Sequence, residues 1–216
     1  MGSANLHHKK KTGRLGRTRK KKSILPYILI VCEGEKTEPN YFGWYKNKCR
    51  QEVNVEIYGE GKNTSSLIEK ANEIKKKKER KEDIVFDDVW CVFDKDSFEK
   101  EQYNKAFELC ENYGFKYAYS NECFELWYLL HFNYYNSAMG RNDIYDKLNK
   151  LFKESYGMKY GKNSKDMFET LRDRQGKAIS NAKKLLATKT DDFMIWNRNP
   201  TTTVFELVEE LNKYLK

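Results

Sequence analysis

The chain has 216 residues, with 41 Lys and Arg against 32 Asp and Glu and a formal net charge of +9. That length suits one sizeable α/β domain with room for a helical C-terminal addition. No segment approaches a membrane span, and the basic first residues lack the apolar stretch of a secretory signal. The five cysteines show no Cys-x-x-Cys and no histidine at zinc spacing, so reduced thiols and a cytoplasmic location are expected.

Residues 1–23 carry Lys9, Lys10, Lys11, Arg14, Arg17, Arg19, Lys20, Lys21 and Lys22 and no acid. The tail therefore holds the whole net charge, and the remainder is formally neutral with 32 bases and 32 acids. So many cations with almost nothing apolar cannot bury enough surface to fold alone. A flexible, disordered arm on nucleic-acid phosphates is expected, giving salt-sensitive, sequence-independent affinity. A merely solubilising tail is the alternative.

Strands and helices then alternate. An apolar run, Ile28-Leu29-Ile30-Val31-Cys32, predicts a strand over 27–33. Thr37 is placed to cap a following helix, with Glu38 and Pro39 in its first turn. Residues 53–58 alternate with period two and predict a second strand, nearer the sheet edge. A helix opening at Thr64 or Ser65 runs through Lys81, and a strand follows over 88–94. A helix over 99–112 closes at Gly114, a fourth strand covers 115–119, and a helix runs from near Glu122 to His131. Beyond Gly140 the pattern is helical, at about 143–155, 164–172, 176–188 and 202–215. The expectation is an α/β fold, a mostly parallel four-stranded sheet flanked by helices. Its divisions are a tail over 1–23, an α/β core over 24–140 and a helical extension over 141–216 packed on that core.

The chemistry concentrates where the apolar strands run out. The first stops at Glu33-Gly34, the second long run at Asp94-Lys95-Asp96. Ligands of parallel sheets gather at the carboxyl ends of the strands, and Asp94 and Asp96, two apart, share a face if extended. Three carboxylates at one sheet edge repel one another unless a hard cation neutralises them. Mg²⁺ or Mn²⁺ is the natural cofactor, since both take oxygen ligands.

These residues resemble the Toprim domain, the acidic metal-binding fold of topoisomerases, primases and OLD-type nucleases, whose hallmark is a strand ending in Glu-Gly and a later one ending in Asp-x-Asp. The wider context is similar to the RloB family. It runs through Cys32-Glu33-Gly34-Glu35-Lys36-Thr37-Glu38, Phe93-Asp94-Lys95-Asp96, Ser120-Asn121-Glu122-Cys123-Phe124-Glu125-Leu126-Trp127 and Asn199-Pro200-Thr201-Thr202-Thr203-Val204. The resemblance covers about residues 24–216. It implies a bacterial restriction-linked or phage-defence system, divalent-metal cleavage of nucleic acid, and a defence-system partner protein.

Glu38, a turn beyond Glu33, can swing towards the same pocket or simply complement the helix dipole. Glu125 sits in an otherwise apolar helix, where a charge is costly unless paired or metal-bound. It is read as a second metal ligand or water-orienting base, with a buried ion pair as the alternative. His131 points elsewhere and reads as a satisfied core or rim histidine. Lys162, in the loop Tyr160-Gly161-Lys162, is chosen to offset charge on the transferring phosphoryl group. Lys159, Arg172 and Arg174 are its rivals. Thr203 and Glu206 form a capping-box pattern, and Thr201, Thr202 and Thr203 are candidates to hold a substrate phosphate. The loop Gly59-Glu60-Gly61-Lys62-Asn63-Thr64 is not a Walker A motif, because Glu56 and Asn63 stand where glycine and Ser/Thr are required.

The expected mechanism is metal-assisted phosphodiester hydrolysis of DNA or RNA. Glu33, Asp94 and Asp96 hold one ion, while Glu38 and Glu125 help to hold a second, in an in-line displacement. The rival is a non-catalytic nucleic-acid-binding or scaffold subunit of a defence complex.

Overall fold

A computed structural model describes residues 25–61, 64–95, 100–189 and 195–215. The nine cations of the tail, Lys62, Asn63 and Asp96 lie outside the described residues. The elements in order are β1 (Tyr27–Cys32), α1 (Thr37–Lys48), β2 (Asn54–Gly59), α2 (Thr64–Lys81), β3 (Asp88–Asp94), α3 (Lys100–Tyr113) and β4 (Lys116–Ser120). They continue with α4 (Glu125–Leu130), α5 (Arg141–Tyr156), α6 (Met167–Leu171), α7 (Gln175–Ala187) and α8 (Val204–Asn212).

The four strands form one sheet in the order β2-β1-β3-β4, every pair parallel. This is the α/β arrangement that the sequence predicts, with β2 at an edge. The unbroken apolar runs of β1 and β3 follow from burial on both faces. Ile28, Ile30 and Cys32 enter one core with Trp90, Val92 and Ala118. Leu29 and Val31 enter the other with Val89, Cys91 and Phe93. Each large apolar side chain so buried contributes roughly 2 kcal/mol. Cys32, Cys49, Cys91, Cys110 and Cys123 are all buried free thiols, acting as small core residues.

Residues of α2 and α3 cover one face of the sheet. The other face carries α1 and α4, and the same continuous core takes in Ile144, Leu148 and Phe152 of α5. Ala178, Ala182 and Leu185 of α7 and Val204, Leu207, Val208 and Leu211 of α8 join it too. Among the described residues no helix is long and apolar enough to cross a membrane.

Two capping expectations fail for one reason: the hydroxyl has a better partner elsewhere. Thr37 is the first residue of α1 rather than its cap, and its hydroxyl donates to Asn163 Oδ1 at 3.1 Å. Thr203 does precede α8, but its side chain makes no cap bond; its Oγ1 accepts from the Tyr119 N–H at 3.0 Å. Gly114 closes α3 at φ +66°, as its position predicts, a conformation that glycine adopts without strain.

Candidate active site

The chain leaves β1 at the point where it connects to β2 on one side and pairs with β3 on the other. That is the switch point at which an open parallel sheet leaves a crevice. The Glu33 N–H donates to the Val92 carbonyl at 2.8 Å. On the β2 side the Gly61 N–H donates to the Glu33 carbonyl at 2.9 Å, and the Glu60 N–H to that of Cys32 at 3.1 Å. The Glu60 and Gly61 N–H groups thus fix the backbone at the end of β1. Gly59 has to be glycine for the same reason, because a Cβ there would stand 2.7 Å from the Gly34 carbonyl oxygen.

Carboxylates then face one another across the crevice. The Asp94 N–H donates to Glu33 Oε2 at 3.2 Å, tying the ends of β1 and β3 together. The Gly34 N–H donates to Glu38 Oε1 at 3.3 Å. Glu38 is buried in the first turn of α1, and a Cβ on Gly34 would collide with its carboxylate. Glu125, also buried, accepts from the Tyr160 hydroxyl at 3.2 Å. The turn from β4 into α4 that delivers it passes through Glu122 at φ +76°, an uncommon conformation for a side-chain-bearing residue. That turn brings the Phe124 N–H to the Asp94 carboxyl.

The cleft has a volume of about 450 Å³, and its lining includes Glu33, Glu38, Asp94, Glu125, Arg141 and Lys162. Five side chains selected from sequence, Glu33, Glu38, Asp94, Glu125 and Lys162, therefore meet in one place. Lys162 arrives because its loop is pinned to α1: besides the Thr37 bond, the Asn40 side-chain amide donates to the Asn163 carbonyl at 2.9 Å.

The electrostatics are those of acids crowded without enough positive charge. Asp94 is partly open to the cleft at its surface, but protein encloses its carboxyl. Burial first, and then Glu38, Glu33 and Glu125, push its pKa well above the usual carboxylate range. Glu38 is pushed up to about 6, by burial and then by Glu125, against hydrogen bonds to backbone N–H groups and the pull of Lys162. Among the described residues no three His, Cys, Asp or Glu side chains stand as a ready metal-binding group. The donor set is nonetheless all oxygen, enclosed and self-repelling, the chemistry that suits a hard divalent cation.

Other candidates are placed elsewhere. Thr201, Thr202 and Thr203 are buried, and their hydroxyls are used internally. Thr201 donates to the Arg198 carbonyl at 2.6 Å, Thr202 donates to the Tyr119 carbonyl at 3.0 Å, and Thr203 accepts from Tyr119. The phosphate-binding expectation for these three is corrected: they fasten the segment before α8 to the outer edge of β4. Arg172 lies over Trp44 and Arg174 over Phe132, and neither lines the cleft; nor does Lys159. His131 is a core residue, as its position predicts, its Nδ1 2.9 Å from the Trp127 carbonyl oxygen. Burial lowers its pKa to about 4.

Arg141, Tyr145 and Asn163 line the cleft without having been selected. Arg141 opens α5 and donates from Nη2 to the Glu122 carbonyl at 3.2 Å. Only the tertiary path from α4 to α5 brings it there, although Gly140 just before a helical pattern marks where such a residue would start.

An all-parallel α/β sheet with an acidic cleft at its carboxyl edge defines the class of the domain. The family model for RloB-like proteins matches residues 28–211, so the chain belongs to the RloB-like family. No curated protein and no solved structure matches it.

Proposed function

We propose that this chain is a divalent-metal-dependent nuclease, hydrolysing phosphodiester bonds of DNA or RNA within a bacterial phage-defence or restriction-linked system. The observation that carries the reading is the meeting of Glu33, Glu38, Asp94 and Glu125 with Lys162 and Arg141 in one cleft at the strand ends. Four acids so enclosed cost stability that their few hydrogen bonds offset only in part, and a cation would offset the rest. Glu33 and Asp94, with Asp96 beyond the described residues, are the ligands assigned to one Mg²⁺ or Mn²⁺; Glu38 and Glu125 are assigned to a second. When bound, such ions supply charge neutralisation and an acidified water.

The chain's own groups do the rest. Tyr160 holds one Glu125 oxygen, and the carboxylate is assigned to orient a water. Gly34 fixes the Glu38 carboxylate through its N–H. Lys162 offers a positive charge to the scissile phosphate, worth most where water is excluded. The sequence resemblance to Toprim and OLD-type enzymes implies the same chemistry. The test is incubation of the full chain with single- and double-stranded DNA, messenger RNA and total transfer RNA in Mn²⁺, with and without phage-infected lysate. Cleavage is expected; a chain inert to all of these under both conditions would instead be a scaffold subunit.

Gly34→Ala is expected to push the Glu38 carboxylate out of place and lower hydrolysis at least about tenfold. The fold should be retained, because the atom that must yield is the end of a side chain. Unchanged turnover would remove Glu38 from the site.

The basic tail is assigned to the nucleic-acid backbone. Deleting residues 1–23 is expected to weaken binding and flatten the slope of log affinity against log salt, with melting unchanged. An unaltered slope would assign the tail another purpose.

A further inference from the structure

Arg141 and Lys162 come from different parts of the chain, the start of α5 and the loop before α6, yet both line the acidic cleft. Tyr145, one turn beyond Arg141, lies beneath Lys162, whose Nζ is 5.4 Å from the ring centroid. The Tyr145 hydroxyl, then Glu125, hold the Lys162 ammonium above its ordinary pKa, and the positive charge of Arg141 opposes them. Both cations therefore face one cavity. Two like charges converging on one cavity are stabilised when an anion lies between them, as carboxylates are by a cation.

Their supports differ in kind. Arg141 is anchored by a bond from Nη2 to a main-chain carbonyl, which restrains the guanidinium. A fixed guanidinium fork matches two oxygens of a phosphate, whereas an ammonium acts as a point charge.

We propose that Arg141 and Lys162 grip one phosphate group of the substrate between them, with Arg141 as the specificity-determining residue that reads two of its oxygens. This rests on the hydrolase reading for its substrate class, but the gripping of a phosphate can be measured without turnover. The guanidinium side of the cleft takes the phosphate, and the carboxylate side takes the cation that accompanies it. Lys162 then serves as one half of a paired site rather than as a lone stabilising charge.

The test is a double-mutant cycle on the full chain, with inorganic pyrophosphate in Mg²⁺ as the probe and calorimetry as the readout. Arg141→Ala and Lys162→Ala are each expected to weaken binding roughly ten- to a hundredfold, the range for hydrogen bonds to charged groups. The double variant should lose less than the product of the two, because both act on one anion. Arg141→Lys keeps the charge but not the fork, so it should recover only part of the loss. It also serves where Arg141→Ala fails to fold, which melting curves will reveal. Wild-type chain that does not bind pyrophosphate, Arg141 variants within about twofold of wild type, or losses that multiply independently would each overturn the proposal. Arg141-dependent binding in a chain that cleaves no nucleic acid would leave this inference standing and sink the hydrolase reading.

Discussion

Glu33→Gln and Asp94→Asn will each lower nucleic-acid hydrolysis in Mn²⁺ by at least about a hundredfold, more than is typical for loss of a group outside the ligand sphere. Both substitutions keep the side chain's shape and remove its charge. Neither should unfold the sheet: the Glu33 backbone is held by β3 and by the loop after β2, and the Asp94 backbone by the β3–β4 ladder. Nucleic-acid binding should stay the same or tighten, since less negative charge faces the phosphates. The measurement is cleavage rate beside equilibrium binding for wild type and both variants. Hydrolysis that survives both changes would place the active site elsewhere.

Divalent cation will raise the melting temperature of the wild-type chain, and Asp94→Asn will remove most of that rise. An ion at one hundred times its dissociation constant stabilises by about 2.7 kcal/mol. For a domain of this size that corresponds to roughly 5–10 °C. In chelator the order reverses: Asp94→Asn should melt above wild type, because it deletes a charge that burial and three neighbouring acids disfavour.

A pH trend follows from Glu38, whose folded pKa of about 6 exceeds its ordinary value of 4.5. The folded state then binds more protons than the unfolded state between those values, so ion-free stability falls as pH rises through that window. The expected loss is about 2 kcal/mol, complete above pH 6, and the stabilisation by added ion should grow over the same interval. Identical melting of wild type and Asp94→Asn with and without Mn²⁺ would remove these acids from any ion site.

The sheet was legible in the sequence because burial on both faces leaves apolar runs too long and regular to mistake. The meeting of Glu33 and Asp94 was legible for a related reason, since strand order alone brings two strand ends together. Glu125 was legible as a charge in an apolar helix, a contradiction that only a partner or an ion resolves. Arg141 was not, because no local pattern records that the turn after α4 returns α5 to the cleft. The threonines before α8 misled for the converse reason. Their composition suits phosphate binding, but an isolated antiparallel bridge between Ser120 and Thr202 turns them inward. Hydroxyls that look available in a sequence are claimed by whichever backbone the tertiary fold brings nearest.

The two faces of the sheet are unequally covered. Among the described residues, the side of α1 and α4 to α8 buries about twice as many apolar side chains as the side of α2 and α3. Free energies of local opening scale with such burial, so the thinner side is the first to loosen. Glu38, Glu125 and Arg141 all sit on helices of the thicker side. The spacing of these three groups is therefore set within the more heavily buried layer. The lysine-rich α2 belongs to the thinner layer, away from the helices that carry Glu38, Glu125 and Arg141.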